Sequence, residues 1–126
     1  MKFKEIIPHR VFETGRGEPI EIADCAHIEL APDEQVTFKT LSGAEYDVTR
    51  KSWGYYATPS LNGRLQGFGL RGVLVKNFDA KYYILLVERG KEDCFQYYCD
   101  IQELTVVCWL DNDKELKMLE KKLNSG

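Results

Sequence analysis

The densest group of side chains able to do chemistry lies between residues 50 and 72. It combines cations, aromatic rings and an amide: Arg50, Lys51, Trp53, Tyr55, Tyr56, Asn62, Arg64 and Arg71. Arginine holds a phosphate or carboxylate through two parallel hydrogen bonds, and aromatic rings stack on sugars and bases. The combination predicts a binding site for an anionic, phosphate-bearing ligand such as a nucleotide or nucleotide-sugar.

The acidic side chains of the protein avoid this segment. The 126 residues carry 17 Lys and Arg against 20 Asp and Glu, a formal net charge of -3. Residues 48–78 contain no acidic side chain, although five of them are Lys or Arg. This segregation predicts a local preference for negative partners. A small anion is favoured over a nucleic acid because the sequence pI is near 5.4.

A glycine pattern closes the segment, because residues 67–72 match G-x-G-x-x-G. A dinucleotide-binding loop needs a helix directly after this pattern, since the helix N-terminus holds the pyrophosphate. Here the apolar run at 73–75 continues as a strand. The glycines therefore predict a bend or bulge before a hairpin.

A second group of reactive side chains, Cys25, His27 and Glu29, occupies alternate positions of a predicted strand. Alternate residues of a strand share one face, so His27 can act as general acid or base while Glu29 orients it. The chain has no CxxC pair and only two histidines, so we expect no metal site and no cofactor.

The same strand begins a longer pattern, His27-Ile28-Glu29-Leu30, then Pro32-Asp33-Glu34, then Val36-Thr37-Phe38. This strand-turn-strand rhythm resembles that of cupin β-barrels, some of which act on nucleotide-sugars. Cupin metal sites use a second nearby histidine and a later one, and this sequence lacks both. The resemblance therefore implies an alternative function, a metal-free, cupin-like sugar isomerase or epimerase that uses His27 and Glu29.

The last segment indicates a third class of function, assembly with other proteins. Leu116, Leu119 and Leu123 recur at the spacing of one helix face. We expect this stripe to pack on the sheet of the same chain. The alternative is a homodimer, formed by an exposed stripe or by a sheet edge. The partners considered are thus an anionic small molecule, another protein or a second copy.

Periodicity and composition predict a single, mainly β domain over residues 1–126. We expect an antiparallel sheet or small β-barrel of about six to eight strands, a short helix near 92–99 and a C-terminal α-helix. A compact monomer of 14.5 kDa should expose roughly 6,900 Å² of surface. The sequence has no apolar run long enough for a membrane span and no signal peptide at its start, which predicts a cytoplasmic protein.

Two hairpins should frame the candidate ligand site. Alternating residues around Ser42 and Gly43 predict the first, and the runs at 70–76 and 81–89 predict the second. The run at 81–89 is apolar on both faces, so we expect it to be the central strand of its sheet.

The segments beside these hairpins carry two further expectations. Residues 50–70 fit neither the helix nor the strand period, so we expect a long irregular loop. Asp111 or Asp113 should cap the C-terminal helix, because aspartate accepts hydrogen bonds from the first free backbone amides.

Overall fold

The structure, a computed structural model, describes residues 1–57 and 59–125. In those residues it has eight strands: β1 (Lys2–Thr14), β2 (Ile20–Glu29), β3 (Gln35–Lys39), β4 (Glu45–Lys51), β5 (Gly54–Tyr56), β6 (Leu70–Lys76), β7 (Tyr82–Glu88) and β8 (Thr105–Trp109). The helices are α1 (Arg64–Gly67), α2 (Glu92–Gln102) and α3 (Asp113–Ser125). The strands form three antiparallel sheets, ordered β1-β2, β3-β4-β5 and β7-β6-β8. The predicted mainly β fold with a C-terminal helix is confirmed.

The first sheet is a long two-stranded ribbon, and the sequence pattern did not indicate its strand β1. Phe3 lies opposite Ile28 in the ladder, and the register shifts between Glu5 and Arg10, so the ribbon bulges there. Phe3 is 60% exposed. A two-stranded ribbon is marginally stable alone in water, so its position depends on anchors elsewhere in the fold.

One anchor of the ribbon is the side chain of Gln102, which is buried at the end of α2. Its Oε1 accepts hydrogen bonds from the backbone N–H groups of Arg16 at 2.8 Å and Gly17 at 3.4 Å, and its Nε2 donates to the Glu18 carbonyl at 2.8 Å. A Cβ added to Gly17 would lie 1.7 Å from the Ile101 carbonyl oxygen. The turn therefore docks backbone to backbone, and only glycine fits.

The second sheet contains the first predicted hairpin, which is confirmed. Strand β3 pairs with β4, and β4 pairs in turn with the short β5. The predicted irregular loop over 50–70 is wrong in part, because it contains the end of β4, all of β5 and the single turn α1. The pairing of Lys51 with Gly54 leaves Ser52 and Trp53 as a two-residue turn. Gly54 has φ +146°, a conformation that favours glycine.

The third sheet contains the second predicted hairpin, β6 and β7, which is also confirmed. The expectation that the second strand is central is wrong. Strand β8 pairs with the other side of β6, so β6 is central and β7 lies at an edge. At the bend or bulge predicted before β6, Gly69 has φ +86°, a conformation that favours glycine.

The two faces of the third sheet carry separate core clusters. Val73, Val75 and Val87 are buried on the face that packs on Phe95 of α2 and on Trp109. On the other face, Leu65 and Leu70 form the second buried cluster with Ala44. The second cluster joins the second and third sheets, because Ala44 directly precedes β4.

The two longer helices were expected, with differences at α3. Helix α2 covers the predicted short helix. The cap of α3 is Asn112 rather than Asp111 or Asp113, since its Oδ1 accepts a hydrogen bond from the Glu115 backbone N–H at 3.1 Å. The side chain of Asp111 is unavailable because it pairs with Arg71.

The predicted packing of the α3 stripe on the sheet is not found. None of the described residues of α3 is buried. Leu119 is 39% exposed and Leu123 is 74% exposed. The whole chain exposes 9316 Å², against roughly 6,900 Å² for a compact monomer of this mass. A large part of its apolar surface is therefore not covered by the chain itself.

Candidate functional site

The structure divides the predicted ligand residues between two faces of the second sheet and one distant network. Lys51 and Tyr56 lie on one face of the β4–β5 hairpin. Arg50 and Tyr55 lie directly opposite each other on the other face, and Trp53 lies at the turn. Asn62, Arg64 and Arg71 belong to the segment that follows the hairpin.

The face with Lys51 and Tyr56 is almost entirely polar, and we call it the polar face. Strand register places on it Gln35, Thr37 and Lys39 of β3, Glu45, Asp47, Thr49 and Lys51 of β4, and Tyr56 of β5, with Lys39 and Glu45 paired at 3.3 Å. Arg64 reaches its border from α1, with Nη2 3.9 Å from Asp47 Oδ2. The opposite face turns Tyr46 toward the buried cluster, so the polar face points outward.

Hydrogen bonds between the strands order the side chains of the polar face. Thr49 Oγ1 donates to Gln35 Oε1 at 2.7 Å, and Thr37 Oγ1 donates to Asp47 Oδ1 at 2.7 Å. The Gln35 amide has two N–H donors in addition to this acceptor oxygen. Tyr56 is 59% exposed, so its ring is an accessible platform beside these groups.

Lys51 and Arg64 of the polar face are each held by an ion pair in which at least one partner is exposed. Lys51 Nζ lies 2.5 Å from Asp33 Oδ1, and the Asp33 side chain is 74% exposed. Arg64 is 70% exposed, and its guanidinium lies 5.2 Å from the Phe68 ring centroid as well as near Asp47. Exposed pairs of this kind contribute at most about 1 kcal/mol, so both cations can exchange partners.

Arg50 is held differently from Lys51 and Arg64. Its Nη1 donates to the Leu30 carbonyl at 2.9 Å, and its Nε donates to the Lys51 carbonyl at 2.9 Å. The side chain is half-buried. Arg50 therefore joins the start of the second sheet to the end of the ribbon through backbone carbonyls.

Arg71 is the centre of a network far from the polar face. Its guanidinium donates from Nε and Nη2 to the two carboxylate oxygens of Asp111, at 2.6 and 3.2 Å, and from Nη1 to Glu92 at 3.2 Å. It also stacks on Trp109 at 4.0 Å. The hydrogen bond to Asp111 raises the pKa of Arg71 above its ordinary value. Two carboxylates thus neutralise this cation within the fold.

Asn62 lies near the same network, at the start of α3. Its Nδ2 donates to Asp113 Oδ1 at 2.7 Å. The adjacent cleft has a volume of about 640 Å³ and is lined by Arg71, Arg89, Glu92 and Asp111, among others. The central cation of this cleft, Arg71, is already bound by two carboxylates, one of which is buried, so it is not available to an anion.

A third polar cluster surrounds Glu88 at the end of β7. Lys91 Nζ lies 2.7 Å from its carboxylate, Ser42 Oγ donates to it at 2.5 Å, and Thr40 Oγ1 donates to the same oxygen. Lys91, Ser42 and Thr40 together lower the pKa of Glu88 to about 2. A carboxylate this acidic is a poor general base, so the cluster is suited to holding β7 against the turn before β4.

The predicted catalytic pair is placed on the ribbon with other partners. His27 Nε2 lies 3.1 Å from Asp24 Oδ2, and this contact lowers the pKa of Asp24. Glu29 lies 3.7 Å from Lys2. Cys25 Sγ is 3.5 Å from His9 Nδ1 in the bulge. Within residues 1–57 and 59–125, no three His, Cys, Asp or Glu side chains form a group that could hold a metal ion.

The sequence analysis singled out Lys51, Tyr56 and Arg64. It did not single out their neighbours on the polar face, which are Thr37, Thr49, Gln35 and Asp47. The signal was present, because Asp47, Thr49 and Lys51 alternate along one strand. The functional meaning of that alternation depends on which face is buried. Only the packing of Tyr46 and Ala44 on the core decides this.

The described part of the chain contains no helix with the length and hydrophobicity needed to cross a membrane. Comparisons with protein-family models, with curated proteins and with solved structures found no match. Function is therefore inferred from the side chains themselves.

Proposed function

We propose that this chain is a small binding module whose polar face takes an anionic, phosphate-bearing ligand, with a nucleotide-sugar as the best chemical fit. One observation carries the proposal: a single outward sheet face combines an exposed ring, ordered hydrogen-bonding groups and two cations that are held by ion pairs with carboxylates. The ring is Tyr56, and the cations are Lys51 and Arg64.

Each part of a nucleotide-sugar has a complementary group on this face. A base or sugar ring stacks on Tyr56, which is largely exposed. Sugar hydroxyls donate to the Asp47 carboxylate and accept from the Gln35 amide. The phosphates exchange for the carboxylate partners of Lys51 and Arg64, which are bound in weak surface pairs.

Arg71 and Asn62 are left out of this proposal, although the sequence predicted them as ligand residues. Arg71 already has two carboxylates and an indole ring as partners. Removing it from Asp111 would leave a buried carboxylate unpaired, which costs several kcal/mol. A ligand therefore gains little from competing for it.

A thermal-shift screen tests the proposal. The full-length chain is heated with UDP-glucose, UDP, glucose 1-phosphate or inorganic phosphate, at low and moderate salt. A ligand at 100 times its dissociation constant adds about 2.7 kcal/mol of stability, which raises the melting temperature by several degrees. Absence of any shift with all four compounds would contradict the proposal.

Neighbouring tyrosines on opposite faces provide a matched pair of variants. Tyr55 and Tyr56 are both 59% exposed. We expect Tyr56→Ala to weaken binding at least about tenfold, because base or sugar stacking contributes roughly 1–3 kcal/mol. We expect Tyr55→Ala to leave affinity unchanged. Equal effects of the two substitutions would place the ligand elsewhere.

Trp53 and Tyr55 support a second candidate function, recognition of another protein. Trp53 is 70% exposed at the turn, and exposed Trp and Tyr are enriched where proteins bind one another.

The sugar isomerase hypothesis with His27 and Glu29 stays a prediction. A cytoplasmic location is part of the proposal, since all four cysteines are free thiols.

A further inference from the structure

Helix α3 presents an apolar stripe that its own chain leaves uncovered. Leu116 is half-buried, whereas Leu119 and Leu123 are 39% and 74% exposed. A helix of 13 residues is marginal in water without a packed face, because isolated helices of this length form weakly. The stripe therefore needs a cover that the described residues do not provide.

The stripe borders an open cleft between α3 and strand β8. The cleft has a volume of about 530 Å³, and Cys108, Met118 and Leu119 supply most of its apolar lining. It continues the exposed apolar surface of the helix toward the sheet. A second helix laid along the leucine stripe would meet this cleft at Leu119, the residue that the stripe and the cleft share.

The charges of α3 are arranged to match a second, antiparallel copy of the same helix. At 100° per residue, Glu115 and Lys122 flank one side of the leucine stripe and Glu120 flanks the other, with Lys117 further round the helix on the side of Glu120. A two-fold axis near Leu119 would place Glu115 of one copy beside Lys122 of the second copy. The same axis would place Lys117 of one copy on the same side of the interface as Glu120 of the second copy, so both of these pairs join opposite charges.

The leucines follow the same symmetry. Leu119 would pack on Leu119 of the second copy, and Leu116 would pack on Leu123. The chain exposes roughly 2,400 Å² more than a compact monomer of its mass, and the apolar side chains Met118, Leu119 and Leu123 of α3 are part of that exposed surface. We propose that the chain forms a homodimer through antiparallel pairing of α3, independently of ligand binding at the polar face.

Sedimentation equilibrium of the full chain tests the dimer. We expect the unmodified chain to be dimeric at micromolar concentration. Leu119→Glu would place two carboxylates together at the axis, so we expect the dimer dissociation constant to rise at least about 100-fold. Lys114→Glu, on the opposite side of the helix, is the control and should leave the constant unchanged. Far-UV circular dichroism checks that each variant is folded.

A charge exchange decides the orientation and does not depend on Leu119→Glu folding. Glu115→Lys should weaken the dimer because it faces Lys122 of the second copy, and adding Lys122→Glu should restore it. A monomeric unmodified chain at about 100 μM, or a dimer that survives Leu119→Glu in a folded variant, would overturn the proposal. Failure of Lys122→Glu to restore the dimer would overturn the antiparallel pairing. Ligand shifts at the polar face are unaffected by any of these outcomes.

Discussion

Asp111 provides the most direct test of the role assigned to Arg71. The Asp111 side chain is 8% exposed and accepts two hydrogen bonds from the guanidinium. Asp111→Asn keeps the size of the side chain, removes its charge and puts N–H donors against a donor. We expect this substitution to destabilise the folded chain rather than to alter ligand affinity.

The loss of folding free energy in Asp111→Asn depends on the contacts that Arg71 retains. Removing one partner of a buried pair costs about 3–5 kcal/mol, and a hydrogen bond to a charged group contributes about 1.5–3 kcal/mol. Arg71 retains Glu92 at 3.2 Å and the face of Trp109, and 27% of its side chain reaches solvent. These remaining contacts favour the lower range, so we expect a loss of about 2–3 kcal/mol.

Thermal unfolding followed by circular dichroism measures the effect. For a chain of 126 residues, 1 kcal/mol corresponds to about 3–5 °C, so the melting temperature should fall by about 6–15 °C. Asp100→Asn is the matched control, because Asp100 is exposed and its carboxylate accepts a hydrogen bond from the Gln96 amide at 2.9 Å rather than from a buried cation. Equal melting temperatures for the two variants would refute a structural role for the Arg71 network.

Two other contacts make separate predictions. Glu88 has a folded pKa of about 2, against an ordinary 4.5, because Lys91 and two hydroxyls stabilise its charged form. The contribution of the Glu88 carboxylate to stability is therefore full above pH 4.5 and is lost as the pH falls toward 2. In a curve of melting temperature against pH, Glu88→Gln should flatten the slope between these two values. An unchanged slope would contradict the stabilisation of the Glu88 carboxylate by Lys91 and the two hydroxyls. Gln102→Leu should free the ribbon turn, seen as faster hydrogen exchange at the amides of Arg16 and Gly17, and unchanged exchange would show that the turn is held by other contacts.

Local patterns predicted both central hairpins because alternation and turn residues act over short distances. Val36 and Phe38 alternate with polar residues, and Gly43 marks a turn after them. This local pattern is enough to predict the hairpin of β3 and β4. The central position of β6 was not predictable in this way. It depends on β8, which pairs with β6 across separations of 29 to 36 residues. The apolar residues on both faces of β7 show only that both faces are covered in part.

The composition of residues 50–72 indicated the candidate ligand residues, and the β4–β5 register then divides them between two faces of the sheet. Lys51, Tyr56 and Arg64 could be singled out from residue type alone. Arg71 could not be separated from them, because its partner Asp111 is 40 residues away. Strand β1 was missed because its apolar residues do not alternate regularly across the bulge near Pro8.

The anchor between Gln102 and the ribbon turn has a consequence for the order of events during synthesis on the ribosome. The hydrogen bonds of this anchor join residues 84 to 86 positions apart. At a translation rate of about 5–20 residues per second, the ribbon turn is synthesised roughly 5–20 s before Gln102. During that interval β1 and β2 form a ribbon that is marginal alone. The nascent chain therefore presents two long, partly apolar strands to chaperones before α2 emerges and secures them.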